Sequence, residues 1–202
     1  MSIVVEHEKR RSEILGKALD VFVEEGFENA TFQKIADKCG ITRTTLYTYF
    51  KNKREIFNFS IKQLMQILEN DITGIAKGKS LPYTEKLIRV MTVIIERLEE
   101  NRPLLSVVLD YILYSSKNAD YDPSYRFRRR TVRLRHIQAS ILIDGIKSGE
   151  FSAKINVRDA NELLYSFLEA AVFRLIILRR SSVDELKTAM RHLAVYSLAT
   201  GK

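Results

Sequence analysis

Apolar residues recur along this chain with the spacing of amphipathic helices. Near the amino terminus they follow the i, i+4, i+7, i+8 pattern at Ile14, Ala18, Val21 and Phe22. Gly26 comes next and is a typical C-terminal stop. The pattern therefore predicts a first helix that ends at Gly26.

Two short helices joined by a tight glycine turn are predicted next. Thr31 is a suitable N-cap for the first of them, which ends at Cys39-Gly40. Thr42 is a suitable N-cap for the second. The apolar positions that should face inward are Phe32, Ile35, Ala36, Leu46, Tyr49 and Phe50.

The rest of the chain also carries a helical pattern, and we find no convincing strand. A fourth helix should run through Ile56 and Leu68 to a loop over 74–82. The polar stretch Lys117 to Asp122 should interrupt the pattern. Pro82, Pro103 and Asp122-Pro123 should each start a later helix, and these three helices should end near Asn101, Ser116 and Gly149 respectively. Asn156 should cap a further helix. Ser182, with Asp184 and Glu185, should start the last one. These boundaries predict an all-α fold of about nine helices, with one domain over residues 1–58 and another over residues 59–202.

Composition supports a globular helical protein. The chain of 202 residues is 46% hydrophobic and 29% charged, with only 8 Gly and 3 Pro, which excludes disorder and disfavours a many-stranded sandwich or barrel. Cys39 is the single cysteine, so an internal disulfide is excluded and a reducing cytoplasm fits. The three histidines, at positions 7, 136 and 192, lack metal-ligand spacing. We therefore expect neither a metal nor a cofactor.

The net charge of +8 suggests a polyanionic partner. Most of the excess belongs to residues 59–202, because residues 1–58 are nearly balanced. The amino terminus has charged residues where a secretory signal would need an apolar segment. Glu169 and Arg174 interrupt the most apolar stretch, Ala160 to Leu178, which favours a buried helix over a membrane span.

The segment 31–53 has the residue types of a DNA-binding element. Opposite the apolar face of its second helix lie the polar and basic side chains of Arg43, Thr44, Tyr47 and Thr48. A helix fits the major groove, where its first residues reach base edges. From Lys38 to Arg54 there are five basic residues and no acidic one, which suits binding to phosphate.

This segment resembles the signature of the TetR family of bacterial transcriptional regulators. The matching residues read Gly40-Ile-Thr-Arg-Thr-Thr-Leu-Tyr-Thr-Tyr-Phe-Lys-Asn-Lys53, after an amphipathic first helix. The resemblance covers about the first quarter of the chain. One departure is Thr48, where members often have a larger aromatic residue or histidine. The resemblance implies an amino-terminal helix-turn-helix domain followed by a helical effector and dimerisation domain.

The resemblance also assigns roles within the segment. It implies that Arg43 and Thr44 meet base edges, with help from Gln33, and that Tyr47 contacts the backbone or a thymine methyl. Phe50 and Leu46 are interpreted as core. The positions that match phosphate-contacting places are Thr31, Thr45, Tyr49, Lys51 and Lys53.

The apolar stretch from Ala160 predicts a dimer interface, because a helix that is apolar nearly all round can face both its own core and a partner. With the last helix it should form a four-helix interface across a two-fold axis. The residues predicted to lie there are Leu164, Leu168, Val172, Leu175 and Tyr196.

Polar and aromatic residues within apolar helices are candidates for an effector pocket, although buried polar groups often only satisfy one another. The candidates are Tyr111, Tyr114, His136, Tyr165, Glu169 and Phe173. For Glu169, a cationic effector group and Arg174 are the two partners considered. Six arginines between Arg126 and Arg135 suggest either a second anion site or a solvated helix face. Cys39 is interpreted as a small buried hydrophobe rather than a redox switch.

Together these features predict a homodimeric repressor that binds a palindromic operator in double-stranded DNA and is released by a small apolar effector. An enzyme is not expected, because the sequence shows no Ser-His-Asp set, Gly-rich phosphate loop or paired metal ligands. The alternative is a TetR-like co-activator whose regulatory domain binds a protein partner.

Overall fold

The computed structural model describes residues 3–116 and 123–198, and this part of the chain is almost entirely helical. It contains nine α-helices and no extended strand, and the eighth and ninth helices continue as π-helical turns over Phe173–Ile177 and Leu193–Leu198. The helices are α1 Ile3–Asn29, α2 Phe32–Cys39, α3 Arg43–Tyr49, α4 Lys53–Lys77, α5 Tyr83–Glu100, α6 Arg102–Ser116, α7 Pro123–Lys147, α8 Val157–Val172 and α9 Asp184–His192. The all-α prediction is confirmed.

Most predicted helix boundaries are confirmed, and two differ. Gly26 does break the regular helix, with φ 76° and ψ 163°, but a further helical turn to Asn29 follows the kink. Helix α4 continues to Lys77, past the predicted loop start at Gly74. The predicted interruption at Lys117 to Asp122, with its Asp122 cap, lies outside the described residues.

The chain packs as two compact units that do not follow the predicted boundary at residue 58. The first unit contains α1 to α3, α4 as far as Leu64, and α6 from Pro103. The second contains the rest of α4, α5 and the chain from Phe127 onward. No helix in the described ranges is long and apolar enough to cross a membrane.

An aromatic cluster explains why α6 belongs to the first unit. The ring of Tyr111 on α6 lies 4.5 Å from Phe27 and 4.6 Å from Phe57, measured between centroids. The neighbouring Asp110 Oδ2 accepts a hydrogen bond of 2.6 Å from the backbone N–H of Phe27. This N–H follows the kink at Gly26, so a carboxylate from α6 holds the end of α1.

The second unit encloses a continuous apolar core. Its fully or nearly fully buried residues come from α4, α5, α7, α8, α9 and both π-helical turns. Helix α8 and the turn after it bury Leu164, Leu168 and Leu175 in this core, with 0%, 6% and 3% of each residue exposed. Because this side of α8 packs in the core of its own chain, only the opposite side is accessible to a partner.

A distant carboxylate caps the start of α5. Pro82, which the sequence predicts in the first helical turn, is instead the N-cap residue, and its side chain makes no capping hydrogen bond. Glu150 supplies the acceptors instead, at 2.7 Å from the backbone nitrogens of Tyr83 and Thr84. Burial alone would raise the pKa of Glu150, but these N–H groups and the nearby Lys86 bring it below its ordinary value.

We expect Glu150→Gln to lower the free energy of unfolding by about 1–2 kcal/mol at neutral pH, because the helix start loses a charged cap. A carboxyl with a lowered folded pKa stabilises fully above its ordinary value of 4.5 and loses that contribution as pH falls through the folded pKa. The difference between wild type and variant should therefore vanish in acid. Urea unfolding from pH 7 to pH 3 measures it, with the exposed Glu96→Gln as control; a pH-independent difference would contradict the capping role.

Candidate functional site

Residues 31–50 form a helix-turn-helix whose two short helices are capped as the sequence predicts. Thr31 Oγ1 accepts a hydrogen bond of 3.2 Å from the backbone nitrogen of Lys34. Thr42 Oγ1 accepts one of 3.0 Å from Thr45. Between them Gly40 adopts φ 67° and ψ 33°, a left-handed conformation that glycine takes without strain. The turn therefore fixes the direction in which α3 leaves α2.

The inner face of this motif is fully apolar. Ile35, Ala36 and Leu46 are each 0% exposed, and Phe50 is 1% exposed, so Leu46 and Phe50 are core residues as predicted. Cys39 is also buried, and burial raises the pKa of its thiol. This supports the interpretation of Cys39 as a small apolar residue.

The outer face of α3 presents the predicted base-reading side chains to solvent. Arg43, Thr44, Tyr47 and Thr48 are all exposed. Arg43 Nη2 donates a hydrogen bond of 3.1 Å to the Tyr47 hydroxyl, and the Tyr47 ring lies 4.7 Å from the ring of Phe32. This chain of contacts holds the guanidinium beside the tyrosine. The face is thus polar, basic and partly ordered before any DNA binds.

The predicted phosphate-contacting residues surround this face. Thr31, Thr45 and Lys51 are exposed, as is Gln33, whose Nε2 donates to Asp37 Oδ1 at 2.8 Å. Among the described residues, no acidic side chain forms an ion pair with Arg43 or Lys51. Their charge is therefore available to a phosphate.

Tyr49 has a neighbour that sequence reasoning missed. Its ring stacks on the imidazole of His7, with centroids 4.7 Å apart and an interplanar angle of 24°. The two residues are far apart in sequence, and only the i, i+3, i+4 register of α1 could have indicated that His7 faces the motif. His7 therefore positions one predicted phosphate contact.

Lys53 has a different environment from the other predicted phosphate contacts. Its Nζ donates to the backbone oxygens of Phe27 and Glu28 at 2.7 Å and to that of Ala30 at 2.9 Å. Burial lowers the pKa of this ammonium, against an opposing effect of Glu28. An ammonium has three protons, and all three are used on carbonyls at the end of α1. The structure thus gives Lys53 an intramolecular role, and its predicted phosphate contact stays untested.

The predicted pocket residues are divided between the two units. Tyr111 belongs to the aromatic cluster of the first unit, and the Tyr114 ring lies 6.0 Å from Phe27 in the same unit. In the second unit Tyr165 is buried, whereas His136, Glu169 and Phe173 are exposed. Exposure removes the need for a partner to Glu169, because water can solvate its carboxylate.

Arg174 is not the partner of Glu169 in this chain, since its Nη1 lies 3.3 Å from Glu185 Oε2. Tyr165 is the one predicted pocket residue inside the core of the second unit. The Arg135 guanidinium lies over its ring at 3.6 Å, and burial raises the pKa of its hydroxyl.

The described arginines of α7 match a solvated helix face. Arg129 is exposed, Arg133 pairs with Glu69 at 3.0 Å, and Arg135 pairs with Glu162 at 2.5 Å. The side chains of the remaining arginines of this run lie outside the described residues. The three that are described favour the solvated face over a second anion site.

The predicted dimer residues divide into two sets. Leu164, Leu168 and Leu175 are buried in the core of their own chain, so they are not accessible to a partner. Val172 is partly buried, and Tyr196 is 77% exposed. The other apolar residues of this region that reach solvent were not predicted for the interface, because periodicity alone does not tell the inner side of an apolar helix from the outer. They are Leu163, Ile177, Leu178, Val195 and Phe173, the last of which was predicted for the pocket instead.

An exposed, basic recognition helix held by a glycine turn defines a helix-turn-helix DNA-binding protein. Residues 14–58 match the family of bacterial regulatory proteins called the tetR family. The amino-terminal part of this chain therefore carries the DNA-binding region of that family, and the proteins to which the chain is similar are transcriptional regulators.

Similarity to known proteins extends over most of the chain. It is 27% identical over 164 residues to the fatty acid metabolism regulator protein of Bacillus subtilis, covering 79% of this chain and 80% of that protein. It is 26% identical over 160 residues to the transcriptional repressor KstR2 of Mycolicibacterium smegmatis, covering 79% and 74%. The crystal structure of the regulator FadR from Bacillus subtilis in complex with stearoyl-CoA has the same fold, with a TM-score of 0.71 at 24% identity over 92% of this chain and 97% of that one.

Proposed function

We propose that this regulator is a cytoplasmic repressor that binds a palindromic operator as a homodimer and releases it when an apolar effector binds. The observation that carries the proposal is the exposed Arg43 and Tyr47 pair on α3. Two such helices, related by a two-fold axis, would enter major grooves about one helical turn apart.

The proposed dimer uses the exposed apolar side of α8 and of the last segment. Phe173, Ile177 and Leu178 are 52%, 55% and 52% exposed, and Tyr196 is 77% exposed. Aromatic and large aliphatic side chains of this kind are enriched at the centres of protein interfaces. A second copy of the chain is the partner that a two-fold palindrome requires.

The proposed effector is a long-chain acyl thioester or another extended apolar molecule. The relatives support this class, because one is a regulator of fatty acid metabolism and a structural neighbour was solved with stearoyl-CoA. The large apolar core of the second unit offers the side chains that such a molecule needs. Effector binding should weaken operator binding about 5–150-fold, which is the usual range of such coupling.

Selection of bound DNA from a random pool tests the proposal directly, and a palindromic consensus is the expected result. Adding acyl-CoA of increasing chain length to the selected complex should then release the DNA. If no palindrome emerges, the homodimeric repressor is excluded. If DNA binding is specific but only a protein partner recovered in stoichiometric amount alters it, the co-activator alternative replaces the effector proposal.

Base contact and phosphate contact can be separated on α3 and the turn after it. We expect Arg43→Ala to cost about 1–3 kcal/mol per half-site and to relax base preference. Lys51→Ala should weaken specific and random DNA alike and reduce the salt slope of binding by about one. Fluorescence anisotropy on both DNAs over a range of salt measures these effects. An equal loss on both DNAs for Arg43→Ala would contradict its base-reading role.

A further inference from the structure

A glutamine without a proper partner lies in the core of the second unit. Gln138 on α7 is 0% exposed. Its Nε2 lies 2.8 Å from Met91 Sδ, and a thioether is only a weak acceptor. Its Oε1 is buried and has no hydrogen-bond partner among the described residues. The amide is therefore surrounded by a core that does not satisfy it.

An unsatisfied amide in this position is costly to the folded chain. A buried polar group that lacks a hydrogen bond destabilises a protein, and a leucine of similar size would remove that cost. The core of the second unit is built from apolar residues, which can pack against leucine. Such unsatisfied groups call for a specific explanation.

A second buried acceptor lies beside the same stretch of α7. Asn161 on α8 donates from Nδ2 to the backbone oxygen of Arg135 at 3.2 Å. Its Oδ1 is buried and also lacks a partner in the described ranges. Arg135 and Gln138 are three positions apart and thus neighbours on the surface of α7. Two side-chain amide oxygens in this region are thus able to accept a hydrogen bond, but no donor in the described part of the chain reaches either of them.

The geometry points to an effector that carries a hydrogen-bond donor within its apolar body, and we propose that Gln138 Oε1 accepts from it. This inference rests on the proposed effector response and narrows its ligand class. A saturated acyl chain offers no such donor, whereas a hydroxylated chain does. Gln138 is then the residue that selects hydroxylated over plain apolar effectors.

Three kinds of probe with equal chain length test whether the protein recognises a hydroxyl donor on the chain. They are octadecanoyl-CoA, its hydroxylated forms with the hydroxyl at successive chain positions, and the corresponding methyl ethers. The ethers keep the oxygen but lose the donor. We expect wild type to bind at least one hydroxylated form about tenfold more tightly than both the plain chain and the matching ether, as one hydrogen bond to a buried acceptor provides. Isothermal titration calorimetry measures the affinities.

Gln138→Leu should abolish this preference while binding the plain chain within about threefold of wild type. It should also raise the melting temperature, since the unsatisfied amide is removed. Thr131→Val is the matched control, because it removes a buried hydroxyl from the same helix α7 without touching the amide, and it should keep the preference. A preference that survives Gln138→Leu, or that Thr131→Val also removes, would overturn the proposal.

A parallel titration with decanol and decyl methyl ether, which are not thioesters, distinguishes failure of the acyl-thioester proposal from failure of the inference about Gln138. If no acyl-CoA binds but decanol is preferred in a Gln138-dependent manner, the thioester proposal fails and the inference holds. If wild type prefers no hydroxylated probe of either kind, the inference fails. Release of operator DNA by plain octadecanoyl-CoA would, in that case, leave the proposed function intact.

Discussion

Phe173→Glu should convert the protein from a dimer to a monomer and reduce operator affinity at least about 100-fold. Phe173 is 52% exposed in the single chain, so the new carboxylate reaches water in the monomer and the fold is retained. In a dimer packed through this side, the same carboxylate would be buried without a partner. Two linked recognition helices bind far more tightly than one, which is why the DNA effect is large.

Sedimentation equilibrium at micromolar concentration gives the mass, and anisotropy with operator DNA gives the affinity. Wild type should sediment at twice the chain mass of 23.4 kDa, and the variant at 23.4 kDa. Ile177→Glu, which is 55% exposed, should behave in the same way. Ile67→Glu on α4, also exposed at 44%, is the control and should remain dimeric. A variant Phe173→Glu that stays dimeric would move the interface elsewhere.

A charge at Leu168 would be a poorer test of the same interface. Leu168 is 6% exposed and lies in the core of its own chain, so glutamate there would unfold the monomer. Loss of dimer and loss of fold would then give the same result. The apolar pattern of this stretch predicts a buried helix, but both sides of that helix are apolar. The pattern therefore does not tell which side packs in the chain's own core, as Leu168 does, and which side is exposed, as Phe173 is.

Local signals predicted the helix-turn-helix almost completely. The caps at Thr31 and Thr42 and the left-handed Gly40 depend on residues adjacent in sequence, so no tertiary information is needed. The same holds for the exposed positions of Arg43 and Tyr47, since the buried Leu46 fixes the register of α3. Sequence reasoning succeeded where the determinants lie within one helical turn.

Tertiary contacts determined what the sequence did not show. Asp110 Oδ2 accepts a hydrogen bond from the backbone N–H of Phe27, which lies 83 positions away, so no local pattern could have paired the two residues. Gln138 did not enter the predicted pocket at all, because a glutamine on a helix is usually at the surface. The unpartnered oxygen on Gln138 becomes visible only when α7 and α5 pack around it.

The role of Lys53 gives the second large prediction. Lys53→Met keeps most of the aliphatic stem but removes the three hydrogen bonds to the carbonyls of Phe27, Glu28 and Ala30. Those carbonyls end α1 and would lose a charged donor in a partly buried place. We expect the free energy of unfolding to fall by about 2–4 kcal/mol, and DNA binding to fall with it.

Urea unfolding of wild type, Lys53→Met and Lys51→Met separates the two roles that a lysine at this position can have. Lys51 is exposed, so its loss should leave stability within about 0.5 kcal/mol of wild type and should affect only DNA binding. For Lys53→Met, the loss of DNA affinity should recover when the domain is restabilised by an osmolyte, because its cause is the fold. If Lys53→Met instead keeps full stability and lowers the salt slope of DNA binding by about one, its ammonium leaves the α1 carbonyls to bind phosphate, as the family resemblance implies.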